Sequence, residues 1–407
     1  MLVIMFGLSR RSEYAVNVIE EQDYIAERLV RSGKSIIRLN RGDPVAYFPT
    51  PKYTIDALVK AVKEGRTGYS YHAGIRELRE AISERHKRLY NLDVSEDDIL
   101  VTQGVSEAIL FLNSLLINPG DTGAMLRPFY PLYMSALQIN GGIPITADYV
   151  DGEGRSVDTD MLRKKLKRSG RRAKYLIFSN PSNPNGAVIE RKTLSEMAEI
   201  ANDNDMIVIS DEIYDEIVFN GARFTSMSEV SKGIPTVILG GASKDFSATG
   251  LRIGYVIMPE GGKEMDEIRR KLPDFAKMRL SSNTLSQYAF AASIRNAKEH
   301  GSSIRKMVKE ISSRVNLAHR LINESRYMHA VLPRGAFYLF PKVDFSQLRL
   351  KTDKDIATRL LIEGGVQITR GSGFGSPDNI RIVALAPQDI LESAIRKIDK
   401  FFARHSK

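Results

Sequence analysis

The sequence predicts an α/β fold, in which a large domain with a mostly parallel central sheet flanked by helices is joined to a smaller α+β domain. Three observations carry this. From about residue 50 to residue 290, short apolar runs alternate with amphipathic stretches of helical period, an order that hairpins do not produce. After about residue 290 the texture changes to a long helical stretch followed by short strand-like runs. The chain has 407 residues, 43% of them hydrophobic, enough for a large core and more than one domain.

Taken in order, residues 1–48 read as an amino-terminal arm and part of the small domain. "MLVIMFGL" is apolar but short, and its charges, "SRRSE", follow it. A secretory signal has the opposite order and a membrane span needs about 20 apolar residues, so the stretch reads as an arm packed on a neighbouring surface, in a cytoplasmic protein with no membrane role. In the large domain, residues 49–290, strands are expected at 98–102, 122–127, 174–179, 206–210, 235–240 and 254–258. Helices are expected at 106–116, 191–204 and 264–272. The small domain, residues 291–407, begins with one long helix over 292–325 and ends with a helix over 389–404. Between them lie "GAFYLFPKV", "DIATRLLIEGG", "VQITRG" and "NIRIVALA".

Composition removes several chemistries. There is no cysteine, which excludes disulfides, thiolate nucleophiles and cysteine-ligated metals. The six histidines are scattered without the HExxH spacing, so no metal is expected. The net charge of +10 and the basic run "RKKLKRSGRRAK" at 163–174 invite a nucleic-acid reading. No binding motif accompanies them, and a solvated helix end and loop is the preferred reading.

Ligands of open α/β sheets bind beyond the carboxyl ends of the strands, and five expected strands end in unusual chemistry. After 98–102 comes "QGVSEAI", where the N–H groups near Val105 and Ser106 open a helix suited to an anion. After 122–127 comes "PFYPLY", where Tyr130 and Tyr133 flank a proline-stiffened turn and an aromatic ring can stack on a flat group. After 174–179 comes "NPSNPNG", a stiff loop that aims Asn183. Asp211 closes the next apolar run and calls for a cation or donors, with Tyr214 three residues on. The last is "GGASKDFSATGLRIGY", with Ser243, Lys244 and Arg252. A desolvated lysine becomes a nucleophile towards carbonyls, and an arginine fork suits phosphate.

Each item alone has a bland reading as a cap, a packed loop or an internal salt bridge. Together they match what pyridoxal phosphate requires. Lys244 would take the aldehyde, Asp211 the ring nitrogen, and Asn183 with Tyr214 the phenolic oxygen. Arg252, Ser243 and the N–H groups of Val105 and Ser106 would take the phosphate.

At these residues the chain resembles the fold type I, class I/II aminotransferases that depend on pyridoxal phosphate, and most closely the alanine aminotransferases of archaeal type. The likeness runs through "LNRGDP", "GYSYHAGIRELREAI", "NPSNPNG", "SDEIYDEIVF", "SKDFSATGLRIGY", "PRGAFYLF", "GSGFG" and "IRIVALAP". It implies that Lys244, with Asp211 and Tyr214, is catalytic and that Lys244 also carries a proton. It implies that Arg381 grips the substrate α-carboxylate, with Gly42 and Asn183 in the substrate site, and that Tyr130 covers the cofactor ring. It implies a homodimer in which Tyr69 reaches the neighbouring subunit's phosphate. The expected reaction passes the amino group of a small amino acid, alanine foremost, to 2-oxoglutarate. Aspartate or aromatic specificity, or a lyase on the same fold, remain alternatives.

Three departures stand out. "NPNG" replaces the usual "NPTG", and Asn185 can cap the turn as threonine would. Gly241 lacks a hydroxyl that some members turn to the phosphate. Arg41 stands where close relatives have an apolar residue, and either points to solvent or pairs with the distal carboxylate of glutamate or 2-oxoglutarate.

Overall fold

A computed structural model describes residues 7–149 and 157–407. Most of the amino-terminal "MLVIMFGL" expected as an arm lies outside the described residues. The central sheet has seven strands: β1 (Ile99–Thr102), β2 (Thr122–Arg127), β3 (Ile143–Asp148), β4 (Ala173–Ser179), β5 (Ile207–Asp211), β6 (Thr236–Gly241) and β7 (Gly254–Ile257). Their order is β1-β7-β6-β5-β4-β2-β3, and only β7 runs against its neighbours.

Alternate residues of each central strand serve two covers, which is why these runs are apolar throughout. Met125, Ile177, Ile209, Val237 and Leu239 pack under helices Gly104–Leu116, Pro131–Ile139 and Gly262–Met278. On the other face, Leu126, Phe178 and Val208 meet helices Thr159–Ser169 and Arg191–Asp203, while Ile238, Tyr255 and Ile257 meet Arg76–Tyr90 and Thr284–Arg295. The basic run at 163–174 starts on helix Thr159–Ser169, whose Leu162 and Leu166 face the core while Arg163, Lys164 and Lys167 are exposed.

The expected strands fall within a residue of those observed, but β3 was not expected. It is the edge of the sheet, begins Ile143-Pro144 and has partly exposed positions along it, so it lacks a continuous apolar signature. The single helix expected over 292–325 is a second correction. Thr284–Arg295 and Ala297–Asn323 are separate helices, broken at Asn296, whose backbone N–H and side-chain amide both donate to the carbonyl of Ala292.

The carboxyl-terminal part has its own core. Ile311 and Val315 of the long helix and Leu391 and Ile398 of Gln388–Arg404 enclose Ile380 and Ile382 of strand β10 (Ile380–Val383). Strands β8 (Tyr338–Leu339) and β9 (Thr369–Arg370) flank β10, both antiparallel to it. Ile37–Arg38 pairs in parallel with Val366–Gln367, which ties the amino-terminal residues to this part of the chain.

Candidate functional site

The carboxyl ends of β2, β4 and β5, the helix start after β1 and the loop after β6 converge on one cavity of about 260 Å³. Its wall includes Gly42, Val105, Ser106, Tyr130, Asn183, Asp211, Tyr214, Ser243, Lys244, Arg252 and Arg381. Sequence reasoning had singled out every one of these. Arg41 is at the rim, and Tyr69 is not brought to the cavity by this chain: its ring is 83% exposed and lies beside Gly68, Ser70 and Tyr71.

Lys244 enters from the loop after β6, and its Nζ donates to the carbonyl of Gly42 at 2.7 Å. Burial pushes its ammonium down to about 8; Asp43 opposes that and Arg381 and Arg252 reinforce it. The loop holds two residues in the left-handed region, Ser247 at φ +46° and Arg252 at φ +52°, where a side chain is strained. It is fastened where Ser247 donates to the carbonyl of Phe48 and Thr50 donates to that of Ser247.

Arg252 faces the first turn of helix Gly104–Leu116, so close that a Cβ on Gly104, itself at φ +74°, would stand 2.7 Å from its Nη2. A cation against the positive end of a helix is repelled unless an anion lies between them. Among the described residues the guanidinium's one hydrogen-bond partner is the carbonyl of Thr249, at 3.3 Å. With the Ser106 and Ser243 hydroxyls alongside, the donor set fits a phosphate.

Asp211 ends β5. Tyr133 donates to its Oδ2 at 2.6 Å and the Ile213 N–H to its Oδ1 at 3.3 Å. Burial still pushes its carboxyl up to about 6, so a protonated ring nitrogen would supply the cation it lacks. Tyr130 meets Tyr133 edge to face at 5.6 Å. Tyr214 shares a 2.8 Å hydrogen bond with the hydroxyl of Tyr338.

Arg381 of β10 is 1% exposed. Its Nη1 donates to Asn183 Oδ1 at 2.9 Å and its Nη2 to the carbonyl of Asn40 at 2.5 Å, while Nε has no partner among the described residues. The guanidinium lies between the rings of Tyr338 and Phe374, at 4.8 and 4.7 Å. A buried cation with amide, carbonyl and aromatic neighbours in place of a carboxylate is poised for a carboxylate from outside. Arg41 is already engaged, by Asp23 at 2.7 Å and Glu20 at 3.1 Å, with its side chain 55% exposed.

Two of the departures have local explanations. Asn185 Oδ1 accepts from the Ala187 N–H at 3.2 Å, the capping expected of it. A Cβ on Gly241 would stand 2.7 Å from the carbonyl of Ile253, so the site has no room for a side chain there. The site also uses Tyr338 and Phe374, which the sequence motifs contain without pointing to a role, and it employs Tyr133 as a donor to Asp211 in addition to the ring expected near Tyr130.

A buried lysine of lowered basicity, a phosphate cradle, a carboxylate awaiting a cation and an arginine awaiting a carboxylate define an enzyme that works on amino or oxo acids through a phosphorylated carbonyl cofactor. Residues 34–398 match the sequence model of the family "Aminotransferase class I and II". The chain belongs to that family, whose members depend on pyridoxal phosphate. It is 30% identical to an aspartate aminotransferase of Bacillus subtilis (strain 168), over 94% of this chain and 95% of the relative. It is 29% identical to a glutamate–pyruvate aminotransferase of Escherichia coli (strain K12), over 93% of each. The solved structure of an alanine aminotransferase from Pyrococcus furiosus superposes with a TM-score of 0.92 at 33% identity, covering 98% of this chain and all of that one.

Proposed function

We propose that this aminotransferase passes the amino group of a small amino acid, alanine foremost, to 2-oxoglutarate, using pyridoxal phosphate held at Lys244. The observation that carries the reading is Arg381, buried with an unpartnered Nε in the wall of the cavity that Lys244 enters. The alanine and glutamate–pyruvate aminotransferases among the similar proteins support the choice of donor.

Bound there, the cofactor supplies an aldehyde for the amino group and a ring that accepts electrons from the substrate's α carbon. Arg252, Ser243 and the N–H groups of Val105 and Ser106 hold the phosphate. Asp211, kept in place by Tyr133, holds the proton on the ring nitrogen. Tyr130, in the cavity wall, would cover the ring and keep water out, and Asn183 and Tyr214 would supply donors to its phenolic oxygen. Arg381 and Asn183 orient the α-carboxylate, with Gly42 beside it. Lys244, whose ammonium burial makes easier to deprotonate, can take the α proton once its Nζ is neutral and return it.

The alternative donor is aspartate, the substrate named for the Bacillus relative. Arg41 bears on this choice, because a distal carboxylate would have to draw it from Glu20 and Asp23. If it does so, Arg41→Ile lowers the preference for 2-oxoglutarate over pyruvate by about tenfold, one lost charge-assisted contact. An unchanged ratio assigns Arg41 to the rim alone. We further propose a cytoplasmic homodimer, supported by the exposure of Tyr69, Tyr71, Met278 and Leu280. Among the described residues no helix is long and apolar enough to cross a membrane.

The test is the absorbance spectrum of the protein with pyridoxal phosphate, followed during addition of alanine, glutamate and aspartate and then of 2-oxoglutarate. Conversion by alanine and glutamate, reversed by 2-oxoglutarate, is the expected result. Conversion by aspartate without alanine moves the assignment to aspartate, and pyruvate and ammonia released with no acceptor would indicate a lyase.

A further inference from the structure

Directly behind the lysine loop lies a second cluster of ionisable groups that the proposed chemistry does not use. Arg85, 2% exposed on helix Arg76–Tyr90, forms a forked pair with Asp215 at 2.8 and 2.9 Å and reaches Glu216 at 2.8 Å. Tyr90 donates to Asp215 Oδ2 at 2.5 Å, and His300 of the long helix meets Glu216 at 2.8 Å. Above the cluster, His86 meets the hydroxyl of Tyr255 at 3.0 Å. Asp245 enters the same cluster from the residue after Lys244, so the two neighbours face opposite ways.

Of the three carboxyls Asp215, Glu216 and Asp245, only Asp245 makes no hydrogen bond to the guanidinium, although it lies within ion-pair distance of it. Its Oδ2 is 4.0 Å from Arg85 Nη2, and its Oδ1 is buried without a partner among the described residues. An anion in that position would be uncompensated among two further carboxylates, whereas a carboxylic acid can donate to Asp215, a carboxylate oxygen of which lies within 4.8 Å of one of Asp245. The directions agree: burial and then Asp215 push Asp245 far up, while Arg85 holds Asp215 down against its own burial. The next residue, Phe246, stacks on the His300 ring at 4.0 Å, so consecutive side chains pin the loop from behind.

We propose that Asp245 is the positioning residue of Lys244: a neutral acid whose proton is donated to Asp215, fixing the backbone from which the lysine projects without placing a charge behind it. This rests on the reading of Lys244 as the lysine that holds the cofactor.

Two readouts on the full chain test it. The first is the pH midpoint of the absorption band formed with pyridoxal phosphate. The groups around Asp245, which are Arg85, His86, Tyr90, Asp215, Glu216, Tyr255 and His300, stay the same in every variant. If Asp245 is neutral, Asp245→Asn removes no charge and leaves the midpoint within about 0.2 unit of wild type. The second is amide hydrogen exchange of residues 242–252 in the cofactor-free chain. Asp245→Ala should accelerate it about tenfold, while Asp245→Asn, which can still donate to Asp215, should restore slow exchange. Asp245→Leu, of similar size and without a donor, carries the test if the alanine variant does not fold. A midpoint lowered by about half a unit or more in Asp245→Asn would show a lost anion and overturn the proposal. So would exchange in Asp245→Ala and Asp245→Leu as slow as in wild type. If wild type forms no band, the reading of Lys244 falls and this proposal with it, whereas a normal wild-type band with exchange unaltered in Asp245→Ala and Asp245→Leu, or with a lowered midpoint in Asp245→Asn, removes this proposal alone.

Discussion

The two sides of the lysine loop hold similar residues in opposite states. Behind it, Arg85 meets carboxylates within hydrogen-bonding distance, and Tyr90 and His300 complete the shell around Asp215 and Glu216. In front, Arg381 has carbonyl and amide neighbours, Arg252 faces a helix start, and Lys244 rests on a carbonyl. Burial is comparable for Arg85 and Arg381, so burial does not tell a binding arginine from a structural one. Compensation does: the rear cluster is closed within the chain, and the front one is open to charges that ligands bring.

The contrast breaks most easily at Lys244. Lys244→Ala should lower kcat by at least about 10⁴-fold, the upper range for a positioned acid–base group, with no loss of thermal stability; a smaller loss measured with saturating substrates would place the proton carrier elsewhere. Next, Arg381→Met should cut kcat/KM by about 10²–10³-fold while leaving the cofactor-free chain as stable or more so, since it removes an uncompensated buried cation. Arg85→Met should do the reverse in denaturant titrations, costing about 3–5 kcal/mol because Asp215 and Glu216 lose their counter-ion. If both arginine variants lost stability equally, the distinction between open and closed clusters would collapse.

Smaller effects sharpen it. Gly104→Ala should weaken pyridoxal phosphate binding about tenfold in a fluorescence titration, by crowding Arg252 and straining a left-handed backbone. The pH dependence of stability separates the two sides. With Lys244 at about 8 against the ordinary 10.5, the unfolded chain binds the extra proton, so its contribution is complete above pH 10.5 and is lost as pH falls through 8. His86, pushed down to about 3 by burial and then by Arg85, acts likewise at acid pH: its contribution is full above 6.5 and is lost towards 3. Urea midpoints should lose the alkaline dependence in Lys244→Met and keep the acid one.

Most of the cavity wall was legible because its residues follow apolar runs at strands' carboxyl ends, a relation local in sequence; Gly42 and Arg381, the latter inside a strand, came only from the family resemblance. What escaped was non-local. Tyr133 was visible as a ring near Tyr130, but its role comes from Asp211, 78 positions on. Tyr338 acts through the hydroxyl of Tyr214 and the face of Arg381, partners on other segments. The fold failed at weak signals for the same reason: β3 lies at an edge, and Asn296 breaks a helix whose apolar period continues beyond it.

The glycines of "GSGFG" reach further than their place in the chain suggests. A Cβ on Gly373 would stand 2.5 Å from Val18, and the residues beside Val18, Asn17, Ile19 and Glu20, line the cavity. The carbonyl of Ile19 is held by Asn40, whose own carbonyl accepts from Arg381. The selectivity of this enzyme can therefore drift by substitution at a position that touches no ligand.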